Sequence, residues 1–291
     1  MGTRRCYDLK WGRYSLKLGR RTRIMGVVNV TPDSFSDGGK FFARDAAVAQ
    51  AERLVQEGAD IIDIGGESTR PYADPVPVEV ELERVLPVIE ALVDRVAVPI
   101  SIDTTKAAVA RRALTAGAAM VNDISALRND PDMAGVVAES DVPVILMHML
   151  GTPKTMQLTP VYRDVVAEIE AFLTQAVIQA QKGGIARERI LIDPGVGFGK
   201  TIDHNLLLIK NLMRLQVLDL PVIIGPSRKA FIRNLLKEDP SVEIRPEMAI
   251  VGTGTLAAVC ATILNGAHIV RVHEVASASA AVKIIDAILD V

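Results

Sequence analysis

The chain has 291 residues, a hydrophobic fraction of 49%, an aromatic fraction of 4% and a formal net charge of −2. This length suits one large domain or two small ones, with a core of Val, Ile, Leu and Ala rather than of rings. The near-neutral charge and the lack of a Lys/Arg stripe argue against nucleic acid as a partner, and two distant cysteines, Cys6 and Cys260, exclude a disulfide framework or metal-type spacing.

Residues 7–18 pair two alternating runs around Trp11-Gly12-Arg13, which predicts a β-hairpin. Eight apolar runs follow, and nearly every one ends on a side chain that can bind or catalyse. The run at 24–28 ends on Asn29, 61–62 on Asp63, 98–102 on Asp103, and 118–121 on Asn122 and Asp123. Then 142–147 ends on His148, 190–192 on Asp193, 221–225 leads to Ser227 and Lys229, and 268–270 ends on Arg271 and His273. Strands buried on both faces read as such continuous runs.

Helical patterns separate these strands. Residues 46–55 are periodic with Gly58 beyond, and 80–96 are periodic with Pro87 placed in an early turn or at a kink. Thr104 or Thr105 is expected to cap a helix at 107–116. Further helices are predicted at 161–182, 205–217, 231–237, 248–264 and 275–289. Residues 248–270 contain no Asp, Glu, Lys or Arg, but their Thr, Gly, Asn and His favour a buried helix and strand over a membrane span. The N-terminal residues lack the apolar stretch of a signal peptide, so the cytoplasm is the expected location.

Regular alternation of strand and helix predicts a parallel sheet. The segment after the first strand, Asn29-Val30-Thr31-Pro32-Asp33, is not a dinucleotide fingerprint, which favours an α/β barrel of (β/α)8 type over an open sheet. Such a barrel takes about 250 residues, so one domain is expected over 1–291, with residues 1–22 as a hairpin closing its bottom. All the polar strand ends then meet at one mouth.

Four features of that mouth carry chemistry. Two long loops, Thr31-Pro32-Asp33-Ser34-Phe35-Ser36-Asp37-Gly38-Gly39 and Gly65-Gly66-Glu67-Ser68-Thr69-Arg70-Pro71, suggest a lid. Asp103, Asn122 and Asp193 combine acceptors and a donor in a way that suits the edge of a flat heterocycle. Arg271 and His273, beside Asn29, suggest an anion pocket near the eighth strand. The segment from Asp193 to Thr201 nearly imitates a phosphate-binding P-loop, but only three residues separate Gly195 from Gly199, so it reads as a glycine-rich turn with Phe198 as a stacking face.

Together these segments resemble the dihydropteroate synthases, the folate-pathway enzymes targeted by sulfonamides. Further matches are Ser101-Ile102-Asp103-Thr104, Asn122-Asp123-Ile124-Ser125, Leu146-Met147-His148-Met149, Ser227-Arg228-Lys229 and Arg271-Val272-His273-Glu274-Val275. The resemblance implies a transferase that joins a dihydropterin-6-ylmethyl diphosphate to 4-aminobenzoate, giving 7,8-dihydropteroate and diphosphate. It implies pterin contacts from Asp103, Asn122, Asp193, Lys229 and Met147, and diphosphate contacts from Asn29, Thr69, Arg70, Arg271 and His273. Thr69, Pro71, Phe198, Lys229 and Ala230 would shape the aminobenzoate site, Asn29 would bind Mg2+, and Asp103, Lys229 and Arg70 would be catalytic. A homodimer is usual for such enzymes. One position departs from the pattern: Ala230 stands where many members carry Ser. Two other readings are a non-catalytic pterin binder, which would not need the diphosphate set, and a pterin-dependent methyltransferase, which would not carry the Thr-Pro-Asp-Ser-Phe-Ser loop.

Overall fold

The computed structural model describes residues 4–31, 39–239 and 241–291. Strands β1 (Tyr7–Trp11) and β2 (Tyr14–Leu18) form the antiparallel hairpin, in register from Tyr7 opposite Leu18 to Trp11 opposite Tyr14. Its period-two pattern buries Leu9, Trp11, Leu16 and Leu18 and exposes Asp8, Lys10, Ser15 and Lys17.

Eight strands form the parallel sheet: β3 (Arg23–Asn29), β4 (Ile61–Gly65), β5 (Ile100–Asp103), β6 (Met120–Asp123), β7 (Val144–Met147), β8 (Ile190–Asp193), β9 (Ile223–Ile224) and β10 (Ile269–Val272). Their order is β8-β7-β6-β5-β4-β3-β10-β9. A parallel bridge between Ile192 and Val222, with Ile192 N–H donating to Pro221 O at 3.0 Å, joins the two ends. The sheet is thus closed as the predicted barrel. Ile24, Met25, Val27, Val28, Ile61, Ile62 and Ile64 are all buried, as continuous apolar strands require. Each such side chain contributes about 1.5–3 kcal/mol on burial.

The hairpin lies across the N-terminal ends of the strands. Trp11 Nε1 donates to Ala119 O at 2.7 Å, and Arg189 donates to Lys10 O at 2.7 Å. His268 Nε2 lies 3.1 Å from Arg5 O. Ala119, Arg189 and His268 immediately precede β6, β8 and β10, so these contacts cap the barrel bottom and leave the mouth at the opposite end.

The helices are α1 (Gly39–Gln56), α2 (Val78–Leu92), α3 (Ala107–Thr115), α4 (Met133–Ser140), α5 (Val165–Lys182), α6 (Ile202–Lys210), α7 (Ala230–Leu235), α8 (Ala249–Leu264) and α9 (Val275–Leu289). Several details differ from the sequence reading. Pro87 lies within α2 rather than in its first turn. Neither Thr104 nor Thr105 caps α3; its first N–H, on Ala107, donates to the Asp130 carboxylate at 2.8 Å. Helix α5 starts at Val165 because the Asp164 side chain accepts from the N–H groups of Val166 and Ala167. The helix expected at 205–217 is two pieces, α6 and a 3-10 turn at Leu212–Leu218. Helix α4 was not anticipated. Among the described residues no helix is long and apolar enough to cross a membrane.

Candidate active site

Strand register decides which side chains meet. Asn29 pairs with Gly65, Gly65 with Asp103, and Asp103 with Asn122. Registered neighbours in a parallel sheet point to the same face, so these four positions form one row at the mouth. Gly65 leaves a gap in that row: a Cβ there would lie 3.5 Å from Asp103 Cβ and 3.8 Å from Asn29 Oδ1. Further round, Met147 pairs with Asp193.

Asp103, Asn122 and Asp193 are all buried at this mouth. Burial raises the Asp103 carboxyl well above the ordinary carboxylate range, against the pull of Arg271 and with further upward pressure from Asp63 and Glu81. Burial also raises Asp193 to about 6, although the Gly195 N–H donates to its Oδ1 at 2.6 Å and opposes the shift. Gly195 is required there: its φ is +69°, and a Cβ would meet His148 O at 2.0 Å. The Lys229 ammonium stands 3.8 Å over the Phe198 ring. Desolvation lowers it to about 8, with Arg271 adding to the shift and Asp193 and Asp103 opposing it.

Met147 and Phe198 join Ile124, Met149 and Met156 in a small apolar cluster separate from the main core. This cluster offers apolar surface beside the polar row. A cavity of about 440 Å³ opens on the Asp103 side of the mouth, its lining including Glu67, Thr69, Glu81, Lys106, Ile124 and Met149; Asn122, Asp193, Phe198 and Lys229 do not line it.

Arg271 has carboxylate partners that the sequence reading did not name. Its Nε donates to Asp63 Oδ2 at 2.7 Å and its terminal nitrogen to Asp103 Oδ2 at 2.7 Å. Asn122 Nδ2 donates to the same Asp63 oxygen at 3.0 Å. Arg271 therefore ties two buried carboxylates together. His273 is held by Ser227, whose hydroxyl lies 3.0 Å from Nδ1 and accepts from the His273 N–H at 3.3 Å. Burial, followed by the nearby cations of Arg228, Arg271 and Lys229, lowers this imidazole to about 3, so it is neutral at physiological pH.

Asn29 is half-buried at the end of β3. Thr69 is half-buried on the loop after β4, while Arg70 and Pro71 are exposed. Ala230 is the first residue of α7 and is half-buried. The lid assigned to the first long loop falls at residues 32–38, outside the described residues. Sequence reading placed Asp63 and Ser227 at strand ends without giving them a role, and it did not single out Ile124. The signal for Asp63 was available: it lies two residues before Gly65 on β4, hence on the same side.

The family profile described as pterin binding enzyme matches residues 25–273. The dihydropteroate synthase of Synechocystis sp. is 47% identical over 270 residues, covering 93% of this chain and 91% of the relative. That of Escherichia coli K12 is 44% identical over 266 residues, with 91% of each covered.

The chain belongs to the dihydropteroate synthase family.

Solved structures agree. The Xanthomonas albilineans dihydropteroate synthase with 4-aminobenzoic acid superposes with a TM-score of 0.86 at 48% identity, covering 94% of this chain and 96% of the other. A second structure of that enzyme holds 7,8-dihydropteroate and superposes with a TM-score of 0.82 at 46% identity, covering 93% of this chain and 95% of the other. The Yersinia pestis enzyme in complex with a sulfonamide drug gives 0.89 at 40% identity, covering 98% and 100%. Membership of this family matches the resemblance drawn from the motifs.

Proposed function

We propose that this chain condenses 6-hydroxymethyl-7,8-dihydropterin diphosphate with 4-aminobenzoate to give 7,8-dihydropteroate and diphosphate. The observation that carries this reading is the polar row of Asp103 and Asn122, with Asp193 across the mouth, set against the apolar cluster of Met147 and Phe198. Carboxylates accept from the amino and ring N–H groups of a pterin edge, and the amide both donates and accepts. The ring would lie on the apolar cluster, and Lys229, its cation over the Phe198 ring, would serve both the pterin and the aminobenzoate sites.

The reaction forms a C–N bond as the C–O bond to diphosphate breaks. The electron pair of that bond leaves with the diphosphate, and the amine proton is lost to solvent. Positive charge develops on the methylene carbon and spreads into the dihydropterin ring, where the Asp103 carboxylate stabilises it. The amine is already nucleophilic, so Thr69, Pro71 and Phe198 need only orient it. Asn29, Thr69, Arg70, Arg271 and the neutral His273 would hold the leaving group.

Mg2+ dependence belongs to the same proposal. Among the described residues no cluster of three His, Cys, Asp or Glu exists for a metal, and Asp63 and Asp103 are engaged by Arg271. The Asn29 amide oxygen beside the gap at Gly65 fits an ion that takes most of its shell from phosphate and water. When bound there, Mg2+ would neutralise diphosphate charge. A homodimer and a cytoplasmic location are likewise proposed; the partly exposed Met248 and Ile250 at the start of α8 suit a subunit contact.

The deciding experiment measures diphosphate release from the pterin diphosphate with Mg2+, with and without 4-aminobenzoate. Release that requires 4-aminobenzoate and yields dihydropteroate is expected. Pterin binding without turnover would point instead to a non-catalytic pterin binder. Ala230 gives a second test. A serine hydroxyl there adds a hydrogen bond to the aminobenzoate carboxylate, worth about 1.5 kcal/mol or more. Ala230→Ser is therefore expected to lower KM for 4-aminobenzoate by about tenfold. An unchanged KM in steady-state assays would remove Ala230 from that site.

A further inference from the structure

The loop after β4 is tied at its base by a buried ionic cluster outside the substrate row. The Lys106 ammonium bonds the Glu67 carboxylate and lies 2.5 Å from Glu81 Oε2. Glu81 is fully buried in α2, and Lys106 and Glu67 are mostly buried. The same Glu67 oxygen accepts from Val76 N–H at 3.3 Å. Arg84 donates to Gly66 O at 2.6 Å. Gly66 itself lies flat on α2, where a Cβ would meet Val85 Cγ1 at 2.8 Å.

Both ends of the segment 66–76 thus converge on one carboxylate, which makes the segment a closed surface loop. Thr69, Arg70 and Pro71 lie within it. Its far side is joined to the loop after β7: Tyr72 N–H donates to Pro153 O at 3.0 Å, and Asp74 pairs with Lys154 at 2.7 Å. Exposed pairs of that kind hold little. The knot at Glu67 is the stronger restraint, because its two partners are mostly buried and their attraction is screened less than that of surface pairs. Lys106 also stands three residues after Asp103, in the turn leaving β5. The loop is therefore anchored to the strand end that carries the pterin carboxylate.

We propose that Glu67 and Lys106 are positioning residues that fix the loop bearing Thr69, Arg70 and Pro71 relative to Asp103, and so set the aminobenzoate side of the site. This rests on the synthase reading for its substrate and on the geometry for the tether. Both residues line the cavity beside Asp103, but the role assigned to them is to hold the loop rather than to bond the reacting atoms. The tether acts by holding the amine-binding loop in register with a pterin already seated on the barrel.

The test is Glu67→Ala, which leaves the buried Lys106–Glu81 pair matched in charge and the fold intact. Hydrogen exchange of amides 66–76 is expected to quicken, and KM for 4-aminobenzoate to rise about tenfold. Binding of free dihydropterin, which lacks the diphosphate, is expected to stay within about twofold, since its edge contacts lie on the strands. Glu67→Gln keeps the acceptor and is expected to restore most of the aminobenzoate affinity. An unchanged KM for 4-aminobenzoate overturns the proposal, whatever the exchange shows. Equal weakening of dihydropterin and aminobenzoate overturns it too, because general damage would then explain both. A wild-type chain that makes no dihydropteroate sinks the synthase reading alone, and exchange across 66–76 then decides the tether by itself.

Discussion

Asp103→Asn is expected to lower kcat/KM for the pterin diphosphate by ten- to hundredfold, with the loss visible in single-turnover rate. The substitution is nearly isosteric, so it isolates charge and acceptor capacity from shape. A hydrogen bond to a charged group is worth about 1.5–3 kcal/mol. Every 1.36 kcal/mol on the barrier is about tenfold in rate. Arg271 keeps its bond to Asp63 in the variant, so the site should remain assembled. The pH profile supplies a second reading. Asp103, raised by burial, and Asp193, raised to about 6, must both be ionised to accept from the pterin. Lys229, lowered to about 8, must be charged to oppose them. For wild type, kcat/KM should climb with pH as these carboxylates ionise, from about 6 upward, and decline above about 8. The variant should lose the part of the acid limb that belongs to Asp103. An unchanged single-turnover rate would end the idea that Asp103 steadies positive charge on the ring.

Much of this site was legible along the chain for a physical reason. A strand buried on both faces must be apolar throughout, so the first polar residue after it marks the strand end. In a barrel, strand ends converge. Asn29, Asp103, Asn122 and Asp193 could therefore be placed together before any coordinates. Register and long-range pairing were not legible in the same way. Nothing local to Arg271 says that its partners lie 208 and 168 residues away, at Asp63 and Asp103. Helix caps failed where the cap comes from elsewhere in the chain: Ala107 is capped by Asp130, not by the preceding threonines. Helix α4 is only eight residues long and contains Gly135, too short and too weak a pattern for periodicity to reveal. The tether at Glu67 escaped because its motif reads as loop, and its burial comes from α2 and the turn before α3.

The same argument makes Asp63 the most consequential residue outside the predicted set. It is fully buried, and one of its oxygens accepts from both Arg271 and Asn122. Among the described residues its other oxygen has no hydrogen-bond partner. Asp63 therefore aligns the Asn122 amide and the Arg271 guanidinium through one oxygen. Asp63→Ala leaves the Arg271 guanidinium with Asp103 alone in a largely dry site. Breaking a buried pair costs about 3–5 kcal/mol, and the surviving Asp103 contact places this case at about 3. For a chain of this size that corresponds to a Tm lower by roughly 6–12 °C. Pterin affinity should fall as well, since Asn122 loses the bond that orients its amide. The double variant Asp63→Ala with Arg271→Ala separates the causes. If the cost lies in a stranded guanidinium, the double variant will be less destabilised than the sum of the single ones. Strict additivity, or a Tm for Asp63→Ala within about 2 °C of wild type, would mean that Asp103 alone satisfies Arg271 and that Asp63 is packing rather than part of the charge network.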